Sequence, residues 1–162
     1  AQVKSLVQLK FSPKFYYMSN GASSPVEFPD KVGAANTAGI MSHADWYPSA
    51  KATGSADFVQ AYVTKYGGTA DQIDPSSAEA FAVGQVLEDV AKKTGKIDNQ
   101  TIIDTLHSGS WPTLLGDLSW DETGAPTGTM TLVQWQNGKL LPVYPVAEAQ
   151  ATPAYPKPNW GG

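Results

Sequence analysis

Two stretches decide the fold: Gly116-Asp-Leu-Ser-Trp-Asp-Glu-Thr-Gly124 and, soon after it, Gln134-Trp-Gln-Asn-Gly-Lys-Leu-Leu-Pro-Val-Tyr-Pro145. Each reads as a β-hairpin. Asp121-Glu122-Thr123-Gly124 has the polar and glycine chemistry of a tight turn behind the strand Leu118-Ser119-Trp120. Asn137-Gly138 is a strong hairpin signal, because a type I′ turn needs positive φ at both central residues. Neither hairpin carries a nucleophile with a base, or a cluster of metal ligands.

Outward from the hairpins, alternating helices and strands are expected. Val3, Leu6 and Val7 form a helical stripe that ends before Pro13, and Phe15-Tyr-Tyr-Met18 suits a short buried parallel strand. Ser19 to Pro25 is a loop at that strand's carboxyl end. Gly39 to His43 reads as a second strand, followed by a loop from Asp45 to Gly54. Phe58, Val59, Tyr62, Val63 and Tyr66 line a helix that Gly67-Gly68 terminates.

The clearest helix runs up to Gly95. Asp74 can cap it with Pro75 in the first turn, and Ser76-x-x-Glu79 offers an alternative capping box. Val83, Val86, Leu87, Val90 and Ala91 repeat at helical spacing and predict its buried stripe. Asp98 caps a further helix carrying Ile102, Ile103 and Leu106. From Ala147 onward the chain is rich in Pro and Ala and reads as a surface-hugging tail. Helix and strand in alternation, then helices, then hairpins, predict an α/β sandwich with antiparallel edge strands.

In this order the pieces resemble the type I periplasmic solute-binding proteins of ABC importers, in particular receptors of the branched-chain amino acid type. The resemblance covers nearly the whole chain but only about the second half of such a receptor. It implies a three-layer α/β sandwich, here with an incomplete part of each of two lobes. Residues 1–44 would belong to lobe 2, residues 45–134 to lobe 1, and residues 135–162 would return to lobe 2. It also implies a periplasmic or cell-surface lipoprotein location, a precursor with a signal peptide, and a membrane permease as partner. The ligand would be a small molecule, an amino acid or organic acid, captured by closure of the lobes.

Composition agrees with this class. The chain has 162 residues, 41% of them hydrophobic, and a net charge of −4, which suits one globular domain with a real core. All eleven basic residues are Lys. Without Arg there is no bidentate fork for phosphates or base edges, so no nucleic-acid partner is expected. Absence of Cys excludes disulfides, thiolate metal sites and cysteine nucleophiles. No apolar run reaches the length of a membrane span. The first residues lack the features of a signal peptide and open inside an amphipathic helix, so the chain is expected to be a fragment.

The candidate ligand contacts are Ser19, Asn20, Gly21 and Ser23, where loop amides and hydroxyls beyond a strand's carboxyl end can converge on a small ligand. In amino-acid receptors of this family the loop carries a carboxylate that pairs with the ligand's ammonium. Here Asn20 and Gly21 stand in its place, and the nearest acid is Glu27. An aromatic or aliphatic carboxylate would suit such a loop better than an α-amino acid. Trp46, Tyr47 and Phe81 are candidates for an apolar wall, against the commoner alternative of core packing.

No catalytic residue, cofactor or metal is expected. Ser42 or Ser23, His43 and Asp45 make a hydrolase triad on paper only: no G-x-S-x-G elbow supports it, and adjacent strand residues face opposite ways. Glu88 and Asp89 read as a solvated helix edge, and His107 as a favourable group at a helix's last turn. Asp121 and Glu122 have no evident third oxygen ligand for a cation. Two other classes compete with a receptor: a ligand-sensing regulatory domain of the same fold, and a hydrolase or carbohydrate-binding module.

Overall fold

The computed structural model describes residues 1–127 and 130–161. Asn137 and Gly138 take φ of 51° and 76°, the paired positive values of a type I′ turn. They join two antiparallel strands, which are β5 (Thr131–Gln136) and β6 (Lys139–Tyr144) in chain order. β5 also pairs with β1 (Met41–Ala44), giving the sheet order β1-β5-β6. Tyr17 forms a parallel bridge to Met41 at the edge of this sheet. The expected strand at residues 15–18 is thus reduced to a bridge, held by Met18 N–H to the Met41 carbonyl and Met41 N–H to the Tyr16 carbonyl, each 2.9 Å.

The chain divides into two compact units, Ala1–Ala44 with Met130–Gly162, and Asp45–Thr129. The return expected after Gln134 falls inside β5.

In the first unit, α1 (Gln2–Gln8) and α2 (Glu27–Val32) flank the sheet's core. Val3, Ala22, Phe28, Ile40 and Trp135 form that core, with Val7, Tyr16, Met18 and Trp160 against it. Burying an indole the size of Trp135 is worth about 4–6 kcal/mol as an upper estimate. α2 was not expected from sequence, because Pro29 and the flanking polar residues mask a helix that shows only one turn of apolar spacing.

The Pro-rich tail forms no regular element, yet it is fixed along its length. Gln134 is buried and its amide donates to the carbonyls of Gly39 and Ala154, while its oxygen accepts from Ala154 N–H at 2.7 Å. Lys157 N–H donates to the Lys14 carbonyl at 2.7 Å. Its side chain is buried, with Nζ 3.5 Å from the Trp160 ring centroid and donating to the Pro158 carbonyl. Burial pushes this ammonium below the usual lysine range. Gly39, at φ 75°, lies so close to the tail that an added Cβ would stand 2.6 Å from Lys157 Cγ.

The second unit carries α3 (Ser55–Tyr66), α4 (Pro75–Thr94) and α5 (Asn99–Leu106). Its sheet, in the order β2-β3-β4, consists of β2 (Trp111–Thr113), β3 (Gly116–Trp120) and β4 (Pro126–Thr127). The Asp121–Gly124 turn joins β3 to β4, as its residues predict. Asp74 caps α4 by accepting from Ser76 N–H at 3.0 Å, and Asp98 caps α5 by accepting from Thr101 N–H at 3.0 Å.

The expected stripe of α4 needs correction. Its buried face is Ala78, Ala82, Val86 and Val90, whereas Val83 and Leu87 are 60% and 43% exposed. The small Ala residues permit close packing on one side of the helix, a face that a count of large apolar side chains overlooks. Val86 and Val90 meet Trp111, with Ile102, Leu106, Leu118 and Trp120 around them.

Candidate functional site

The loop Ser19–Ser24 follows the Tyr17 bridge and is anchored from below. Ala22 is fully buried, and its carbonyl accepts from Trp135 Nε1–H at 2.7 Å. With Ala22 held inward, the flanking residues lie outward: Ser19, Asn20 and Gly21 are exposed and Ser23 half-buried. The structure therefore brings these four predicted contacts together on one loop. The side chains of Ser19, Asn20 and Ser23 have no hydrogen-bond partner among the described residues, so their donors and acceptors are available to a ligand. Glu27, the nearest acid, is occupied by Lys31 at 2.6 Å, one turn along α2.

Trp46, Tyr47 and Phe81 belong to the second unit. Trp46 is 1% exposed, with Nε1–H donating to Ser55 Oγ at 2.9 Å. Its ring meets Phe58 edge-on at 5.5 Å, so Trp46 is part of the core here and presents no wall to solvent. Tyr47 is half-buried just beyond β1. Phe81 is 48% exposed and lies 5.1 Å from Phe58. It borders an open groove of about 430 Å³ lined by Phe58, Tyr62, Tyr66, Ser77 and Ala80. Tyr66, on the same helix as Phe58 and Tyr62, is 65% exposed along this groove.

In the triad assembled on paper, Ser42 and His43 are engaged with other groups. Ser42 is buried and donates to the Met18 carbonyl at 2.8 Å, whereas His43 Nδ1 lies 3.1 Å from Tyr17 Oη. Tyr17 was not singled out from sequence; the signal available was its alternation with the inward-facing Tyr16 and Met18. His107 caps the C-terminus of α5, with Nδ1 2.9 Å from the Asp121 carbonyl oxygen.

The Asp121 carboxylate is already engaged by its own turn. It accepts from Thr123 Oγ1, Thr123 N–H and Ala125 N–H at 2.6, 2.8 and 3.0 Å. These bonds hold it below the usual carboxylate range. No group of three His, Cys, Asp or Glu side chains among the described residues could hold a metal. Nor is any described helix long and apolar enough to cross a membrane.

Residues 14–139 match the family model of the periplasmic binding proteins, and the chain belongs to that family. Its fold is similar to a leucine-binding protein, LivK, of Thermotoga maritima, at 21% identity and TM-score 0.73 over 87% of this chain and 39% of that one. It is also similar to LivJ of Streptococcus pneumoniae, solved with isoleucine, at 18% identity and TM-score 0.70 over 86% of this chain and 38% of that one. A third similar structure is a solute-binding protein from Rhodopseudomonas palustris, solved with p-hydroxybenzoic acid. There the identity is 18% and the TM-score 0.62, over 99% of this chain and 42% of that one. The chain thus spans about two fifths of the length of these proteins.

Proposed function

We propose that this chain is the C-terminal portion of an extracytoplasmic solute-binding protein that delivers a small organic ligand to the permease of an ABC importer. The observation that carries the reading is the Ser19–Ser24 loop, pinned at Ala22, with the side chains of Ser19, Asn20 and Ser23 free of hydrogen bonds among the described residues. Membership of the periplasmic binding proteins supports the transport role. Similar folds solved with isoleucine and with p-hydroxybenzoic acid support a ligand that is an amino acid or an organic acid. The loop favours the acid, because Asn20 offers amide chemistry and no charge to an ammonium.

In this reading the two compact units contribute to the two lobes of the receptor. The ligand stabilises a closed form through contacts that exist only there, and the closed form engages the permease. Ser19, Asn20, Gly21 and Ser23 supply contacts from one lobe. Phe81, with the groove beside it, is the exposed aromatic surface of the other.

A thermal-shift panel of amino acids, aromatic acids and sugars against the full-length receptor tests this. A ligand that binds only the folded state raises Tm in proportion to the logarithm of its excess over Kd. Stabilisation by a carboxylate, weakened in Asn20→Ala or Ser23→Ala, is the expected result. Turnover of an ester or a glycoside, with no stabilisation by any acid, would overturn it.

A further inference from the structure

Beside the loop stands a second polar group of the first unit that neither the core nor the loop uses. Tyr17 and Met41 pair in parallel, so the carboxyl ends of their segments point the same way. One end runs into the Ser19–Ser24 loop, and the other finishes at His43 and Ala44. Tyr16 and Met18 pack on the core with Ile40. Alternation therefore places Tyr17 on the opposite face of the sheet, together with Met41 and His43. In register on β5, Leu132 stands opposite His43. Tyr17 is 38% exposed, and His43 is only partly buried.

The geometry points to the Tyr17–His43 pair as a subsite that donates a hydrogen bond to an oxygen of an aromatic or aliphatic carboxylate. This inference rests on reading the chain as part of a solute receptor. Tyr17 Oη and His43 Nδ1 are 3.1 Å apart, and Nε2 has no partner among the described residues. If the phenol donates to Nδ1, the neutral imidazole carries its proton on Nε2 and donates outward. If Nδ1–H donates to the phenol oxygen, the phenol's own hydrogen is free to donate. Each arrangement leaves one donor for an acceptor oxygen. The pair carries no negative charge for an ammonium, which matches the chemistry of Asn20 three residues after Tyr17. A solvent-exposed side-chain hydrogen bond adds little to stability, so the pair's orientation has its main value in recognition.

The test uses the full-length receptor and calorimetric titration with benzoate, p-hydroxybenzoate, isoleucine and glucose. Wild type is expected to bind at least one of the two aromatic acids. Tyr17→Phe and His43→Leu are each expected to weaken that binding about tenfold or more, the scale of a lost hydrogen bond to a charged group. His43→Gln, which keeps a donor, should recover much of the loss, and the unliganded Tm should stay unchanged in all three variants. Wild-type binding that both Tyr17→Phe and His43→Leu leave within twofold overturns the subsite while leaving the receptor reading intact. Wild-type binding of isoleucine or glucose alone overturns the ligand class assigned to the pair. Binding of none of the four probes overturns both the subsite and the acid-receptor reading.

Discussion

The indole Nε1 of Trp135 donates to the carbonyl oxygen of Ala22 at 2.7 Å, joining the second hairpin to the candidate ligand loop across 113 residues of sequence. Both residues are buried, at 1% and 0% exposure. The hairpin that defines the fold thereby also fixes the loop on which ligand contact is proposed. Trp135→Phe keeps most of the apolar contact with Phe28 but leaves the Ala22 carbonyl buried without its donor. The expected cost is about 1–3 kcal/mol, read as a lower denaturation midpoint. Ligand affinity should fall as well, because the loop loses its anchor.

Gly39 controls how closely the tail approaches the sheet. In Gly39→Ala the new Cβ would meet Lys157 Cγ at 2.6 Å and Pro158 Cδ at 2.8 Å, at a φ of 75° that disfavours any side chain. Backbone strain alone costs about 1 kcal/mol or more, and displacement of the tail adds to it. Limited proteolysis should therefore cut the Gly39→Ala protein after residue 150 sooner than wild type.

Acid should loosen the first hairpin's turn. The Asp121 carboxylate is held below its ordinary value by Thr123 Oγ1 and by the Ala125 and Thr123 amides, and Asp98 is held low by the amide and hydroxyl of Thr101. A carboxylate with a depressed folded pKa gives stability that is present above its unfolded value of 3.8 and lost as pH falls through its folded value. Urea midpoints of wild type and Asp121→Ala should accordingly differ at pH 6 and converge as pH falls through the folded value of Asp121.

Lys157 works in the opposite sense at the alkaline end. Its folded pKa lies below the ordinary 10.5, so the unfolded chain binds the proton more tightly. Stability from this group therefore rises with pH between the folded value and 10.5. Lys157→Met retains the stem's packing and should flatten that rise in thermal unfolding followed up to pH 10.5. The Tyr16 phenol, raised by burial, adds a loss of stability only above pH 10 and marks the upper limit of the window.

The two faces of α4 should respond unequally. Val90 is fully buried against Trp111, so Val90→Ala is expected to cost about 2 kcal/mol. Val83→Lys, at a position 60% exposed, should stay within about 0.5 kcal/mol. Equal sensitivity at both positions would mean that the face carrying Val83 is covered.

Local chemistry made much of this protein legible in its sequence. The Asn137-Gly138 turn, the Asp74 and Asp98 caps and the Gly67 and Gly95 helix ends follow from residues whose preferred conformations act within a few positions. The order of these elements was enough to suggest the family. Contacts between distant segments decided the rest. Sequence alone did not show that the 15–18 segment shrinks to a bridge, that Trp46 is core, or that α4 packs through alanines. Nor did it show that Tyr17 meets His43. Each depends on which face of an element finds a partner, and that is settled by packing at long range, where periodicity gives a stripe but not its neighbour.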